Sequence, residues 1–80
     1  MKICAEVSLY PQKTNKASEI INDSLEAIKT SGVEYEVGSM STHLHGEEGA
    51  VWRSLMTMFN TADKEGEVSM VVTVTNSAHN

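Results

Sequence analysis

Three short stretches of the chain carry side chains able to converge on one small ligand. Glu6, Ser8 and Tyr10 alternate near the start, Ser41, His43 and His45 alternate in the middle, and Thr73 lies near the end. Side chains two residues apart on an extended strand point the same way, so each stretch presents its polar groups on one face. Hydroxyls that donate and accept, a carboxylate that accepts and a flat phenol ring suit a small planar heterocycle with a few polar atoms. The same set suits an interface between copies of the chain. A third reading rests on His43-x-His45: two histidines at strand spacing can share a divalent metal, with Glu6 or Glu36 as a further ligand from a neighbouring strand. Against it, two histidines on a half-exposed strand are more often solvated or paired with a carboxylate. Cys4 falls on the same face and reads as a small packing residue.

No standard catalytic motif is present in the sequence. There is no glycine-rich phosphate loop and no nucleophile elbow, and the sole arginine, Arg53, lies in a helical stretch. A phosphatase-type activity needs an arginine and an amide-rich loop after the first strand, and Tyr10-Pro11-Gln12-Lys13 does not supply one. No catalytic constellation is therefore read from these residues, and the polar strand face, as a ligand site or an interface, is the better lead. Its 6 Lys plus Arg against 11 Asp plus Glu leave a net charge of −5, the wrong sign for a phosphate backbone. The single cysteine forbids an internal disulfide and fits a reducing cytoplasm. Glu6 interrupts the first apolar run, so neither a signal peptide nor a membrane span is expected.

The elements that hold these residues are set by hydrophobic period. Ile3, Ala5, Val7 and Leu9 alternate with Cys4, Glu6, Ser8 and Tyr10, and Pro11 ends that strand. Ala17, Ile20, Ile21, Ser24, Leu25 and Ile28 recur at helical spacing, predicting a helix over roughly 15–31 that is released at Gly32. Val33, Tyr35 and Val37 alternate with Glu34 and Glu36, Gly38-Ser39 offers a reversal, and a further strand starts at Met40 with Thr42 and Leu44 on one parity. After Glu47 and Glu48, acids suited to a helix start, Val51, Trp52, Leu55, Met56, Phe59 and Ala62 form a second helical stripe up to Gly66. Trp52 reads as core, as do Met40, Met56, Met58 and Met70. The last strand, about 68–75, sets Val68, Met70, Val72 and Val74 against Ser69, Val71, Thr73 and Thr75.

The resulting fold class is α+β, a single ferredoxin-like βαββαβ domain over 1–80 with antiparallel sheet order 4-1-3-2 and both helices on one face. Ile3, Val7, Leu9, Val37, Leu44, Val72 and Val74 then meet Ile20, Ile21, Leu25, Leu55 and Phe59 in the core. The other face is left bare. An 80-residue chain buries only about 60% of its unfolded surface, so a second layer from a partner copy, in a homodimer or homotetramer, is expected there.

Cys4-Ala-Glu-Val-Ser-Leu-Tyr-Pro11, Gly32-Val-Glu-Tyr-Glu-Val-Gly38 and Ser41-Thr-His-Leu-His-Gly46 together resemble the YkoF-like thiamine-binding protein family, over essentially the whole chain. The resemblance implies ferredoxin-like domains whose sheets stack face to face and which bind thiamine or its hydroxymethylpyrimidine part without catalysis, the vitamin being a ligand and not a cofactor. It implies that Ser8 and the Ser41-Thr42 pair lie at the pyrimidine end of the pocket with Tyr10 beside it. Strict alternation turns Thr42 towards the helices, so either a bulge re-aims it or the pocket reaches the sheet edge. Glu6 is added on chemical grounds, because a carboxylate accepts a hydrogen bond from an exocyclic amine and offsets a thiazolium charge. The candidate ligand-binding set is Glu6, Ser8, Tyr10, Ser41, Thr42, His43 and Thr73.

Overall fold

The computed structural model describes residues 1–77, and the last three residues of the closing 76–80 segment lie outside the described residues. Strand β1 (Lys2–Pro11) leads through helix α1 (Ala17–Ala27) to β2 (Glu34–Val37) and β3 (Thr42–Glu47), and helix α2 (Glu48–Asp63) connects to β4 (Val68–Thr75). The sheet order is β2-β3-β1-β4 with every neighbouring pair antiparallel, the arrangement expected from the alternation. Ile3, Ala5, Val7 and Leu9 are buried against the helices, while their neighbours in sequence face away. Leu44 from β3 completes that layer, fully buried between Ala5 and Tyr35 of the adjoining strands.

Helix α1 is shorter than its apolar stripe. The Thr14 hydroxyl accepts the Lys16 N–H at 3.0 Å, a local turn that competes with helix and delays the start to Ala17. At the other end, Ile28 and Lys29 donate to Leu25 and Glu26 across one residue fewer than an α-helical bond, tightening the chain before Gly32 takes φ +88°. Strand β3 starts at Thr42, not at Met40, because Gly38–Ser41 form the turn, closed by a 2.9 Å bond from the Gly38 N–H to the Ser41 carbonyl. Met40 is consequently exposed.

The inward stripe of α2 is Val51, Ser54, Leu55, Met58 and Ala62. Trp52 and Met56 therefore fall just beyond it and are 51% and 56% exposed, which corrects their expected place in the core. Val37 and Val74 are also exposed, since they end the two outermost strands, where helix cover runs out. Ser24 is fully buried, and its hydroxyl donates to both the Ile20 carbonyl of its own helix (3.0 Å) and the Met58 carbonyl of α2 (3.2 Å). A small buried hydroxyl so satisfied adds no desolvation penalty where a larger side chain would hold the helices apart.

Candidate functional site

The strand register brings the candidate residues into rows across the uncovered face. Glu6 of β1 lies opposite His43 of β3 on one side and Thr73 of β4 on the other, and Glu36 of β2 pairs with His43 to extend the row to the sheet edge. The next row holds Glu34, His45, Cys4 and Thr75. Ser8 faces Val71, and Tyr10 faces Ser69.

Glu6 is the hub. Its Oε2 accepts from Ser41 Oγ at 3.0 Å and lies 3.0 Å from His43 Nε2. An ionised carboxylate only accepts, so the proton of the second contact sits on Nε2. The His43 bond, then the Ser41 bond, hold the Glu6 carboxyl below the usual carboxylate range. Both contacts use one oxygen, and among the described residues no side chain donates to Oε1.

Three concavities surround this hub. Cys4, Glu34, Glu36, His43 and His45 line a groove of about 320 Å³ on the β2–β3 side. Cys4, Glu6, His43, Thr73 and Thr75 line one of about 200 Å³ on the β4 side. The third, about 120 Å³, lies at the hairpin end of the sheet and takes in Ser8, Ser41 and Thr42 with Ile21 and Met58 from the two helices and the turn 38–40. Thr42 is buried and points towards the helices as alternation requires, and the β1–β3 register runs unbroken through Val7↔Thr42. No bulge re-aims it. The cavity instead wraps the end of the sheet, so outward-facing Ser8 and Ser41 share it with inward-facing Thr42.

The candidate set thus divides. Ser8, Ser41 and Thr42 meet in the hairpin-end cavity, Glu6, His43 and Thr73 border the face groove, and the Ser41–Glu6 bond joins the two groups. Tyr10 is exposed near the far end of β1 and lines none of these spaces. Sequence reasoning missed the turn backbone: Ser8 Oγ donates to the Met40 carbonyl at 3.2 Å, tying β1 to the turn. Among the described residues no three histidine, cysteine, aspartate or glutamate side chains are grouped to hold a metal ion, and His43 already has Glu6 as its partner.

The family profile described as "Thiamine-binding protein" matches residues 5–79. The chain belongs to the thiamine-binding protein family. A sequence search of curated proteins finds no significant match. Among solved structures, a Bacillus cereus domain of unknown function (DUF77) is 26% identical with a TM-score of 0.84, covering 94% of this chain and 75% of that one. A Streptococcus pneumoniae protein at 21% identity has a TM-score of 0.90, with 98% and 89% covered. A Thermotoga maritima protein, provisionally assigned to thiamine biosynthesis or salvage, is 18% identical with a TM-score of 0.80, with 92% and 82% covered. The fold of this chain is therefore shared by proteins of low sequence identity. Among its described residues no helix is long and apolar enough to cross a membrane.

Proposed function

We propose that the 80-residue chain acts as one cytoplasmic domain that captures thiamine or its hydroxymethylpyrimidine part reversibly and performs no chemistry on it. The observation that carries this reading is the Glu6 hub: one carboxylate oxygen is fixed by Ser41 and His43, leaving Oε1 to accept the exocyclic amine of an aminopyrimidine. Ser8, Ser41 and Thr42 then offer hydroxyls at the pyrimidine end, while His43 and Thr73 border the remainder of the ligand. Glu34 and Glu36 rim the adjoining groove and favour the thiazolium cation. Neither lysine nor arginine lines any of the three spaces, which disfavours phosphorylated forms.

The grooves are open, and each lies at or below the lower end of the range for ligand pockets, roughly 300 Å³. A second copy stacked on the polar face, in a homodimer or homotetramer, supplies the missing wall and excludes water. Membership of the thiamine-binding family and the thiamine assignment of the Thermotoga relative support the choice of ligand. Calorimetric titration with thiamine, hydroxymethylpyrimidine and thiamine phosphates tests it. Saturable heat with the first two and little with the phosphates is expected, and no heat with any of them at millimolar concentration overturns the reading.

A further inference from the structure

With lysine and arginine missing from the linings of the three spaces, the side chains there able to turn positive are His43 and His45. Both line the groove on the β2–β3 side, and the register sets each directly opposite a glutamate of β2: Glu36 opposite His43 and Glu34 opposite His45. From β1, Glu6 faces His43 and Cys4 faces His45, and one row further Lys2 and Glu47 face each other. Strand β4 adds only the hydroxyls of Thr73 and Thr75 to these rows, and the helices lie on the opposite side of the sheet. The groove lining therefore holds two carboxylates, Glu34 and Glu36, against two imidazoles. Histidine is the side chain whose ordinary titration falls between about pH 5 and 8. The paired charges of the groove amount to two negatives when both rings are neutral and to none when both are protonated.

We propose that His43 and His45 form a proton-operated release switch for a cationic heterocycle, the groove attracting the cation when both rings are neutral and letting it go when both are charged. The switch rests on the reading of thiamine capture above and adds its regulation. His43 Nε2 already donates to Glu6 Oε2, so a further proton enters at Nδ1 and leaves that bond in place. The charge of the site changes while the geometry of its hub is kept. Glutamates ordinarily titrate lower, near about 4.3, and the His43 and Ser41 bonds hold Glu6 lower still, so the rings change charge while the carboxylates keep theirs. Linkage runs both ways: a bound cation beside the two rings makes each proton harder to add. The groove is open to solvent, so salt screens the response.

Calorimetric titration with thiamine at about pH 8 and about pH 5.5 tests the switch, in the parent chain and in a variant carrying both His43→Gln and His45→Gln. In the parent, Kd is expected to rise about ten-fold or more on acidification, and to rise less at high salt. The double variant keeps an N–H donor near Glu6 but takes up neither proton, so it reports the titration of the ligand alone. It is expected to lose most of the rise, and His45→Gln by itself to lose part of it. In the parent, the assigned histidine resonances followed by NMR are expected to titrate at lower pH once thiamine is added. An equal Kd at the two pH values, a rise matched by the double variant, or histidine titrations that thiamine does not move each overturn the switch and leave the ligand reading standing. No heat at about pH 8 overturns that reading and the switch with it.

Discussion

Glu6 and His43 occupy directly opposed positions on β1 and β3, and His43 Nε2 lies 3.0 Å from Glu6 Oε2. Both side chains are more than half exposed, so the pair adds little to stability. Its effect is orientation. With Ser41 on the same oxygen, both contacts hold Oε2, and among the described residues no side chain donates to Oε1.

Glu6→Gln tests that orientation. The amide keeps the shape but loses the charge, and thiamine affinity is expected to fall about ten-fold or more, since hydrogen bonds to charged groups are the stronger kind. The melting temperature should fall only slightly near neutral pH. Unchanged affinity in the titration would remove Glu6 from the site.

The same contacts predict an acid dependence. A carboxyl held low in the folded chain favours folding while ionised. That contribution is complete above the ordinary glutamate value, about 4.3, and is lost as pH falls through the lower folded value. The difference in melting temperature between the parent chain and Glu6→Gln is expected to be constant near neutrality and to close on acidification. A gap that widens below about pH 4 contradicts the sign of the shift.

Gly38→Ala probes the hairpin-end cavity. A Cβ at this position meets the Ser41 carbonyl oxygen at 3.1 Å, closer than most such contacts, so the turn must give. A loss of about 1 kcal/mol in urea unfolding is expected, the low end of overpacking costs. Thiamine affinity should fall as well, because the turn backbone holds Ser8 and closes the cavity. By contrast, Tyr10→Ala should leave affinity nearly unchanged.

On α2, Met58→Ala is expected to cost about 2–5 kcal/mol, whereas Met56→Ala and Trp52→Gln should stay within about 0.5 kcal/mol. Met58 is 1% exposed against 56% for Met56, two positions away on the same helix. Denaturant melts followed by circular dichroism separate the three. Trp52 fluorescence is expected to report folding poorly, its ring being already half in solvent.

Those contrasts mark where sequence reading stops. In β1 the period of two assigns every side chain to its face because a strand allows only two. A helical stripe is broader, and residues at its margin, such as Trp52 and Met56, carry the same apolar signal as Val51 and Leu55 while facing outward. The outward set of Glu6, Ser8, Ser41 and His43 was legible for the same reason as β1. The Ser41–Glu6–His43 cluster was not, because it depends on cross-strand register, which the turn at Gly38–Ser41 sets by consuming two residues assigned to strand. The cavity was hidden more deeply, since part of its wall is turn backbone with no side-chain pattern to betray it.

Strand β1 divides its work by parity: odd positions from Ile3 to Leu9 are packed into the core, and even positions from Cys4 to Tyr10 are not. Mutational change can therefore act on the two sets almost independently. Substitutions at 4, 6 and 8 change the lining of the open face while leaving the core intact, whereas those at 3, 5, 7 and 9 are felt first in the packing. A chain built this way can alter the chemistry of its open face through single-residue steps, each of them folded.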